Sequence, residues 1–449
     1  MNLTIEQNGI ITCVVNAKSG EIIKINAFAG TGKTFILIQI AKALPQKRIL
    51  YLAFNNSIVA ESKRKFPKNV HIFTTHSLAY KAIVKNKIVG DDYKPIEVAS
   101  ILKIDIEKAH GALKILNSFF NSSKEKIPLG GDENQYAIRL YEKMENGEIP
   151  ITHSYYLKKF QLLKNHGLDK YDLVLLDEAQ DTNDVVLDIF LKTKGIKVLV
   201  GDTHQAIYGF RGANDAMSKI KADHSFYLST TFRCSKPVVD MANFVLKHFK
   251  GEKVPIVSLA TGSPENNSSA VIARTNAKII EVLGETAKNY KLLKNPKAIF
   301  GLPFAIDSFL NGKKEKVGEN FKWLLSFKDE EELKEYAATT NDIELSGSIS
   351  VAKRYGKRLG WLYKTASKAY HSANLENRVH LVTAHISKGL EFDAISIEND
   401  FPALDAIFAD TKEGKMNPIE EANLYYVTLT RAKWFIEDNS KNSKFFILE

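Results

Sequence analysis

Cysteine and long apolar runs are scarce in this sequence, and its start lacks the pattern of a secretory leader. Among 449 residues there are two cysteines, Cys13 and Cys234, too few for a disulfide framework or a zinc site. No apolar stretch approaches the length of a membrane span. The first ten residues contain Glu6 where a leader would have a basic start and an apolar core. We therefore expect a cytoplasmic protein without a membrane partner.

Acidic residues are outnumbered by basic ones. The chain has 62 Lys and Arg against 52 Asp and Glu, a net charge of +10 and a pI near 9.1. Lysine-rich segments at residues 313–316, 353–358 and 441–444 contribute to this excess. Any single run of this kind is usually a solvated surface, but the total favours a polyanionic partner such as nucleic acid. A chain of 449 residues, 44% of them hydrophobic, also exceeds one ordinary core and predicts at least two domains.

The first chemical signal is a phosphate-binding loop at residues 27–34, between a short apolar stretch and an apolar helical pattern. Ala27 occupies the first position, where the pattern usually has glycine. In such a loop backbone N–H groups point at phosphates, Lys33 reaches the β- and γ-phosphates, and the Thr34 hydroxyl can ligate Mg²⁺. The predicted nucleotide-binding residues of the loop are Ala29, Gly30, Thr31, Gly32, Lys33 and Thr34.

The second signal is a pair of carboxylates, Asp177 and Glu178, directly after the apolar residues 173–176. At the end of a strand, Asp177 would hold Mg²⁺ bound to phosphate, and Glu178 would orient or deprotonate a water. An isolated pair of this kind is often only a solvated turn. Because it follows a phosphate loop in the same chain, the pair favours nucleoside triphosphate hydrolysis.

Short runs rich in Val, Ile and Leu recur along the chain without clean alternation, as is typical of buried parallel strands flanked by helices. These runs lie at residues 21–27, 48–54, 71–74, 172–176, 197–201, 225–228, 270–274, 379–384 and 394–397. They predict a doubly wound α/β architecture. Residues 79–170, which have a helical and charged pattern, and the lysine- and glutamate-rich residues 288–377 break the rhythm and are interpreted as insertions.

Further motifs follow in a fixed order. They lie at residues 3–7, 51–56, 74–77, 201–213, 231–234, 383–392 and 420–432. Together with the phosphate loop and the Asp-Glu-Ala-Gln-Asp segment at 177–181, they resemble superfamily 1 helicases of the UvrD/Rep type over nearly the whole chain. Residues 51–55, 151–158 and 201–205 are similar to the F-box DNA helicase branch of that family. Because the chain begins almost at the helicase core, we expect no F-box.

The resemblance implies an α/β fold of two RecA-like P-loop domains, each a parallel sheet flanked by helices, with mainly helical insertions. The implied boundaries are 1–77 plus 171–223 for the first domain, 78–170 for its helical insertion, 224–287 plus 378–449 for the second domain, and 288–377 for the second insertion. The second insertion is shorter than in larger family members, so its part in duplex engagement stays open.

The resemblance also implies ATP as fuel, with Mg²⁺. The implied catalytic set is Lys33, Asp177, Glu178, Gln205, Arg233 and Arg431. Gln205 would sense the γ-phosphate, Asp202 would join the metal-water network, and the two arginines would stabilise the charge that develops during hydrolysis. Gln7 would hydrogen-bond the adenine edge, Phe232 would stack on the base in place of the family's tyrosine, and Glu391 would contact the ribose or the DNA side of the cleft.

The implied partners are single-stranded DNA and junctions between single and double strands, with movement from 3′ to 5′. The implied nucleic-acid contacts are Phe54, Asn55, His76, Tyr208, Phe210, Arg211 and His385. The aromatic rings of Phe54, Tyr208 and Phe210 stand at base-stacking positions, the last in place of a tryptophan. His76 and Arg211 would contact the backbone. Each of these aromatic residues also has a core-packing alternative.

We therefore predict an ATP-dependent DNA helicase or single-strand translocase, with a possible protein partner in repair, recombination, replication or defence. One alternative is a nucleic-acid-stimulated ATPase that acts as a switch or a partner-activated regulator. Another is a P-loop enzyme of a different kind, such as a nucleotide kinase or GTPase. The paired arginine motifs and the segment at 210–211 argue against the last, because a single-domain phosphotransferase needs neither.

Overall fold

The computed structural model describes residues 3–209, 215–263, 268–285, 290–339, 342–371, 379–409 and 416–446. The chain divides into two compact units, Met1–Ser229 and Thr230–Glu449. In each unit a parallel β-sheet is flanked by helices, which confirms the predicted α/β class with two RecA-like domains. Within the described residues, none of the helices combines the length and the apolar character needed to cross a bilayer.

The first unit alternates strands and helices along the chain. Its strands are β1 (Ile22–Ala27), β2 (Ile49–Ala53), β3 (Val70–Thr74), β4 (Leu173–Leu176), β5 (Ile196–Gly201) and β6 (His224–Leu228). Its helices are α1 (Ile5–Asn16), α2 (Lys33–Ala43), α3 (Asn56–Lys65), α4 (Thr75–Ile83), α5 (Pro95–Leu102), α6 (Ile106–Asn121), α7 (Asp132–Glu145), α8 (His153–Gln161), α9 (Asp184–Leu191) and α10 (Ala216–Lys219). Short 3-10 helices occupy Ala179–Asp181 and Thr203–Gln205. The parallel sheet has the order β3-β2-β4-β5-β1-β6.

Both faces of this sheet are buried, which explains the continuous apolar runs in its sequence. Along β2, Tyr51 belongs to the core on the face covered by α1 and α2, whereas Leu50 and Leu52 belong to the core on the opposite face. Strand β4 alternates in the same way, with Leu175 on the face of Tyr51. Because Tyr51 pairs with Leu175 in the parallel register, side chains at the ends of these two strands lie on a common face.

The second unit has a separate sheet and core. Its strands are β7 (Thr230–Thr231), β8 (Val257–Ser258), β9 (Ser269–Ala273), β10 (Tyr290–Leu292), β11 (Val379–Thr383), β12 (Phe392–Ile397) and β13 (Ala432–Asp438). Its helices are α11 (Lys236–Lys250), α12 (Asn276–Glu285), α13 (Pro296–Leu310), α14 (Glu330–Thr339), α15 (Ile343–Tyr355), α16 (Leu359–His371), α17 (Ala384–Ser387), α18 (Leu404–Ala409) and α19 (Pro418–Leu429). Further 3-10 helices occupy Lys314–Lys316, Glu319–Ser326, Gly356–Arg358 and Ser443–Phe445. The sheet order is β10-β11-β9-β12-β13, and β7 pairs with β8.

The strands that the sequence did not predict lack the apolar run by which the others were recognised. β7, β8 and β10 are two or three residues long, too short to produce a recognisable apolar run. β13 is longer, but it alternates with charged residues and exposes Phe435, as an edge strand does. Sheet pairing, and not local sequence, selects these segments.

Strand β6 lies in a different unit from the one proposed for it from sequence. Residues 224–228 were grouped with the second domain, but β6 pairs in parallel with β1, with Ile25 opposite Phe226. The first compact unit therefore continues to Ser229. Helices α5 to α8 fill the region between β3 and β4, where a helical insertion was expected.

Candidate nucleotide and nucleic-acid site

The phosphate loop joins the end of β1 to the start of α2 at the carboxyl edge of the first sheet. Gly30 and Gly32 have φ values of 71° and 90°, a left-handed backbone that side chains disfavour. The loop is tied back on itself, because the Thr31 hydroxyl donates to the carbonyl of Phe28 at 2.8 Å. The Phe28 ring stacks on His204 with centroids 5.9 Å apart. The turn is therefore held by its own backbone and by the 3-10 helix that contains His204, with Lys33 and Thr34 half-buried at the start of α2.

Helix α1 packs against α2 and places Gln7 close to the loop. Thr4 and Gln7 form a capping box: the Thr4 hydroxyl accepts from the Gln7 backbone N–H, and Gln7 Oε1 accepts from the Thr4 N–H, both at 3.1 Å. The Gln7 amide Nε2 lies 3.9 Å from where a Cβ on Gly32 would stand. The side chain predicted to read adenine is thus buried, and its carbonyl oxygen is used by the cap.

Asp177 lies immediately beyond β4 and is almost completely buried. The Tyr51 hydroxyl, from the neighbouring strand β2, donates to Asp177 Oδ2 at 2.6 Å. The Glu178 backbone N–H donates to Oδ1 at 2.9 Å. The carboxylate is therefore held at both oxygens. Tyr51 itself is fully buried and its ring packs against Phe66, which holds the hydroxyl oxygen in place beside Asp177.

Glu178 begins a hydrogen-bonded chain that links the ends of β4 and β5. Its backbone is left-handed, with φ of 50°, which is uncommon for a residue with a side chain. Gln180 Nε2 donates to Glu178 Oε2 at 2.5 Å, and Gln180 Oε1 accepts from the Asp202 N–H at 3.0 Å. Gln205 Nε2 donates to Asp202 Oδ2 at 2.7 Å. A Cβ at Gly201 would lie 2.5 Å from Gln180 Oε1, so only glycine leaves room for this bridge.

Both burial and the charge of Glu178 act on the pKa of Asp177. Burial and the charge of Glu178 raise the pKa of the Asp177 carboxyl to about 6, against the lowering effects of Tyr51 and Lys33. The excess of negative charge at this strand end is what a divalent cation would compensate.

The side chains at this edge of the sheet suit a Mg²⁺ ion that binds together with a nucleotide. Mg²⁺ is usually bound by one or two protein ligands together with substrate phosphates and waters. The Asp177 carboxylate and the Thr34 hydroxyl are oxygen donors of the kind that would hold the ion. Within the described residues there is no group of three or more His, Cys, Asp or Glu side chains that could hold a metal without a nucleotide.

A groove of about 190 Å³ opens beside Asp177 in the same unit. It is lined by Leu52, Ala53, Phe54, Thr75, His76, Leu176, Asp177, Asp181, Thr182, Asn183, Val186 and Tyr208. Phe54 is 45% exposed and stacks against Tyr208, with centroids 6.3 Å apart and planes 12° from parallel. Two predicted base-stacking side chains and one predicted backbone contact thus share a groove.

His76 is backed by a cluster of aromatic side chains from α4 and α8. Its ring meets Tyr156 edge to face at 6.0 Å, and the Tyr156 hydroxyl lies 2.8 Å from His153 Nδ1. Burial, and secondarily His153, hold the pKa of His76 below its ordinary value. Asn55 is exposed, but its side-chain oxygen caps α3 by accepting from the Ile58 N–H at 2.9 Å.

In the second unit, Arg233 and Glu391 come together although 158 positions separate them in the chain. Arg233 forms a 2.6 Å ion pair with Glu391, which Lys433 approaches at 3.8 Å. Arg233 Nε is buried and has no hydrogen-bond partner within the described residues. Phe232, the predicted adenine platform, is 47% exposed. The exposed ring and the partly paired guanidinium could both accept a ligand.

Arg431 is almost completely buried at the end of α19. Its guanidinium donates to the carbonyls of Val427 at 2.8 Å and Leu390 at 3.1 Å, and to the Thr430 hydroxyl at 3.1 Å. These acceptors are neutral. Burial, and secondarily the charge of Arg233, lower the pKa of Arg431 to about 10, which still leaves it protonated at neutral pH.

The predicted residues form two groups, one in each unit. Gln7, the loop, Asp177, Glu178 and Gln205 gather at the carboxyl edge of the first sheet, and Phe232, Arg233, Glu391 and Arg431 belong to the second unit. His385 is half-buried in α17. Phe210 and Arg211 lie outside the described residues. Sequence reasoning missed Tyr51 and the bridging role of Gln180; an aromatic hydroxyl two residues before the end of β2, beside the Asp177 strand, was the only available signal for Tyr51.

Comparison with known proteins is consistent with this arrangement. Residues 114–225 match the UvrD/REP helicase N-terminal domain, and residues 311–435 match the UvrD-like helicase C-terminal domain. The chain belongs to the UvrD/Rep-type helicase family. The N-terminal match includes Asp177, Glu178 and Gln205, while the phosphate loop precedes it. The predicted family is thereby confirmed.

Several helicases are similar to this UvrD-like chain over most of its length. F-box DNA helicase protein 1 of Schizosaccharomyces pombe is 28% identical, covering 100% of this chain and 58% of the relative. F-box DNA helicase 1 of Gallus gallus is 27% identical, covering 96% and 48%. A probable DNA helicase of Mycoplasma pneumoniae is 22% identical, covering 97% and 82%. The chain thus spans about half the length of the two F-box DNA helicases. Their similarity over nearly the whole of this chain agrees with the predicted branch.

Proposed function

We propose that this chain is an ATP-dependent DNA translocase or helicase that moves 3′ to 5′ along a single strand and acts at junctions between single and double strands. The observation that carries the proposal is that strand β2 contributes to both the nucleotide site and the adjoining groove. Tyr51 on this strand hydrogen-bonds Asp177, and Phe54, directly after it, lines the adjoining groove with an exposed ring. Strand β2 thus connects Asp177, the carboxylate that we assign to the nucleotide site, with Phe54, the ring that we assign to base stacking.

Binding of ATP follows from the first unit. The backbone N–H groups of the loop and the Lys33 ammonium would hold the phosphates, while Gln7 would contact the adenine edge. Thr34 and Asp177 would hold Mg²⁺. When bound, this ion would neutralise charge on the β- and γ-phosphate oxygens.

Hydrolysis would use the carboxylate chain that follows β4. Glu178 would orient a water and accept its proton, and the Gln180 hydrogen bond fixes the direction of that carboxylate. Gln205, held by Asp202, would present its amide to the γ-phosphate. Gln180 also binds the Asp202 backbone. It would therefore keep Glu178, the proposed general base, at a fixed distance from Gln205, the proposed γ-phosphate sensor.

The second unit would supply positive charge to the transition state. Arg233 and Arg431 are the donors that we assign to the γ-phosphate oxygens. Phe232 would stack on adenine, and Glu391 would contact the ribose while positioning Arg233 through their ion pair. Hydrolysis would then be linked to a relative movement of the two units.

The nucleic-acid strand would occupy the groove of the first unit. Phe54 and Tyr208 would stack on bases, each stacked base contributing about 1 to 3 kcal/mol, and His76 would contact the backbone. Asn55, Phe210, Arg211 and His385 complete the proposed contacts. The proposal includes a cytoplasmic location and a protein partner in repair, recombination, replication or defence.

The first experiment is ATP hydrolysis measured with and without single-stranded DNA. Wild type should be strongly stimulated by DNA, and Glu178→Gln should lose turnover while still binding nucleotide. Glu107→Gln removes the same charge from an exposed site on α6 and should behave as wild type. Absence of stimulation would contradict the motor and favour a partner-activated ATP switch. Displacement of streptavidin from either end of a biotinylated strand then reports the direction of movement.

A further inference from the structure

Most of helix α15, helix α16 and the turn between them form a strongly basic segment that the helicase motifs do not include. Residues 345–371 contain six Lys and Arg residues and no Asp or Glu. The average for this chain is 52 acidic residues in 449, so such a stretch would ordinarily contain about three by simple proportion. No acidic residue within this stretch of sequence offsets its charge.

The basic residues of α16 share one face with a tryptophan. In α16, Lys364 and Lys368 follow Trp361 by three and seven residues, which places the three on one side of the helix, and Lys357 lies in the 3-10 helix just before α16. All four are exposed. Leu359, Leu362 and Ala366 occupy the opposite side and are buried in the core of the second unit. This surface is called the basic face of α16 below.

The basic residues just before this face form ion pairs, whereas, in the part of the chain that the structure describes, the lysines of the face do not. Lys353 pairs with Glu330 at 2.6 Å, and Arg354 pairs with Glu285 at 3.0 Å. Lys357, Lys364 and Lys368 form no ion pair within the described residues. Their charges are therefore available to a partner.

Trp361 is the least expected member of this face. It is 57% exposed and stacks on no ring within the described residues, whereas Trp323, 42% exposed, packs edge to face with Phe327 at 6.0 Å. A large exposed indole between lysines matches the way proteins bind unpaired nucleotides, with a stacking ring inside a positive surface. A membrane surface fits poorly, because the apolar side of α16 is already buried.

We propose that the basic face of α16 is a second binding surface for single-stranded nucleic acid, separate from the groove of the first unit. Trp361 stacks on an unpaired base, and Lys357, Lys364 and Lys368 contact the phosphates on either side of it. A single strand is favoured over a duplex, because base faces inside a duplex are already stacked. The proposal rests on the proposed function for the identity of the polyanion as DNA.

The test compares two triple variants that remove equal charge. Lys357→Ala/Lys364→Ala/Lys368→Ala should weaken binding of a fluorescein-labelled 30-mer about tenfold or more. It should also lower the slope of log affinity against log salt by about 2, since each single-strand phosphate contact contributes about 0.7. Lys313→Ala/Lys314→Ala/Lys316→Ala removes an exposed lysine run in a segment, residues 310–318, that contains no aromatic residue, and should change neither quantity. Thermal melting of both variants checks folding.

Tryptophan fluorescence gives an independent readout. The chain has three tryptophans, Trp323, Trp361 and Trp434. Addition of the oligonucleotide should quench the emission of wild type and of Trp323→Phe, and Trp361→Phe should lose most of that quenching. A full quench in Trp361→Phe would overturn the stacking contact.

The remaining outcomes separate this proposal from the proposed function. In one outcome, DNA stimulates ATP hydrolysis while the two triple variants change the affinity for the oligonucleotide equally. That result would overturn the proposal for the basic face of α16 and leave the proposed motor function intact. Loss of affinity confined to a blunt duplex, or loss of polyglutamate binding with unchanged DNA binding, would also overturn it. Failure of wild type to bind single strands would overturn both proposals.

Discussion

The hydroxyl of Tyr51 and the carboxylate of Asp177 are 2.6 Å apart in the buried space between β2 and β4. The pair arises from register, because Tyr51 lies opposite Leu175 and Asp177 is the next residue on the same face. A hydrogen bond to a charged group of this kind typically contributes about 1.5 to 3 kcal/mol. Tyr51 therefore positions the residue that we assign to Mg²⁺.

Replacing Tyr51 by phenylalanine should impair the proposed ATPase without removing the ring. Tyr51→Phe keeps the packing against Phe66 but leaves Asp177 Oδ2 without its donor. We expect kcat to fall about 10- to 100-fold and the Mg²⁺ concentration at half-maximal nucleotide binding to change. Steady-state kinetics and fluorescent ADP binding at varied Mg²⁺ measure the two effects.

Tyr155→Phe is the matched control for that experiment. Tyr155 is also fully buried and donates to a carboxylate, Glu145 Oε2, at 2.6 Å, but among the helices between β3 and β4. It should lower the melting temperature and leave the Mg²⁺ dependence as in wild type. Equal effects of the two variants on Mg²⁺ dependence would show that Tyr51 acts only through stability.

Removal of the Phe54 ring should weaken binding of single strands. Phe54→Ala deletes an exposed ring that stacks with Tyr208 at the groove, and about 1 to 3 kcal/mol per stacked base corresponds to roughly 5- to 150-fold lower affinity. Fluorescence anisotropy with a poly-dT oligonucleotide measures this. Phe435→Ala removes a 61% exposed ring from β13 and should have no effect. An unchanged affinity of Phe54→Ala would remove Phe54 from the nucleic-acid site.

A conservative change at Arg431 should separate catalysis from nucleotide affinity. Arg431→Lys keeps the charge, but one ammonium cannot replace a guanidinium that reaches Val427, Leu390 and Thr430. We expect kcat to fall more than about 100-fold, the Kd for ATP to change less than about fivefold, and the melting temperature to decrease.

Arg274→Lys provides the comparison for Arg431→Lys. Arg274 is also largely buried and binds both carboxylate oxygens of Glu421, at 2.6 and 3.0 Å. It should lose stability while retaining kcat within about fivefold. If both variants lost turnover in proportion to their stability, Arg431 would have no catalytic role.

The shifted pKa of His76 predicts a pH dependence of stability. Burial holds the folded pKa below the ordinary value of about 6.5, so below that pH the unfolded chain binds a proton that the folded protein resists. Stability should therefore fall as pH decreases below about 6.5, and the loss from this group should be small because the His76 side chain is itself exposed to solvent. The titratable groups around it are His153, Tyr156 and, across the Tyr156 ring, Tyr80, together with Asp177 and Asp181, which line the same groove.

Urea unfolding of wild type and His76→Gln at pH 7.5, 6.5 and 5.5 measures that dependence. The variant should have a shallower loss of stability, and His371→Gln, which changes an exposed histidine, should match wild type. A neutral His76 also adds nothing to counterion release, so His76→Gln should leave the salt slope of DNA binding unchanged. A reduced slope would mean that the histidine is charged when bound.

Much of the fold could be read from local pattern. Each of the nine apolar runs predicted as strands coincides with an observed strand, because buried parallel strands need continuous apolar residues. The short strands β7, β8 and β10 and the polar edge strand β13 escaped, since pairing with neighbours forms them. β6 was recognised as a strand but grouped with the wrong sheet, because its sequence does not specify its partner.

The amino-acid sequence by itself determined the family and identified the residues that we assign to the chemistry: the loop at 27–34, the carboxylates at 177 and 178, and the ordered motifs of a UvrD-like chain. These depend on spacing along the backbone, which sequence records directly. Only the tertiary structure decided that Tyr51 holds Asp177, that Gln180 bridges to Asp202, and that Arg233 pairs with Glu391. Strand register and long-range packing set those contacts, and neither is encoded in any single local segment.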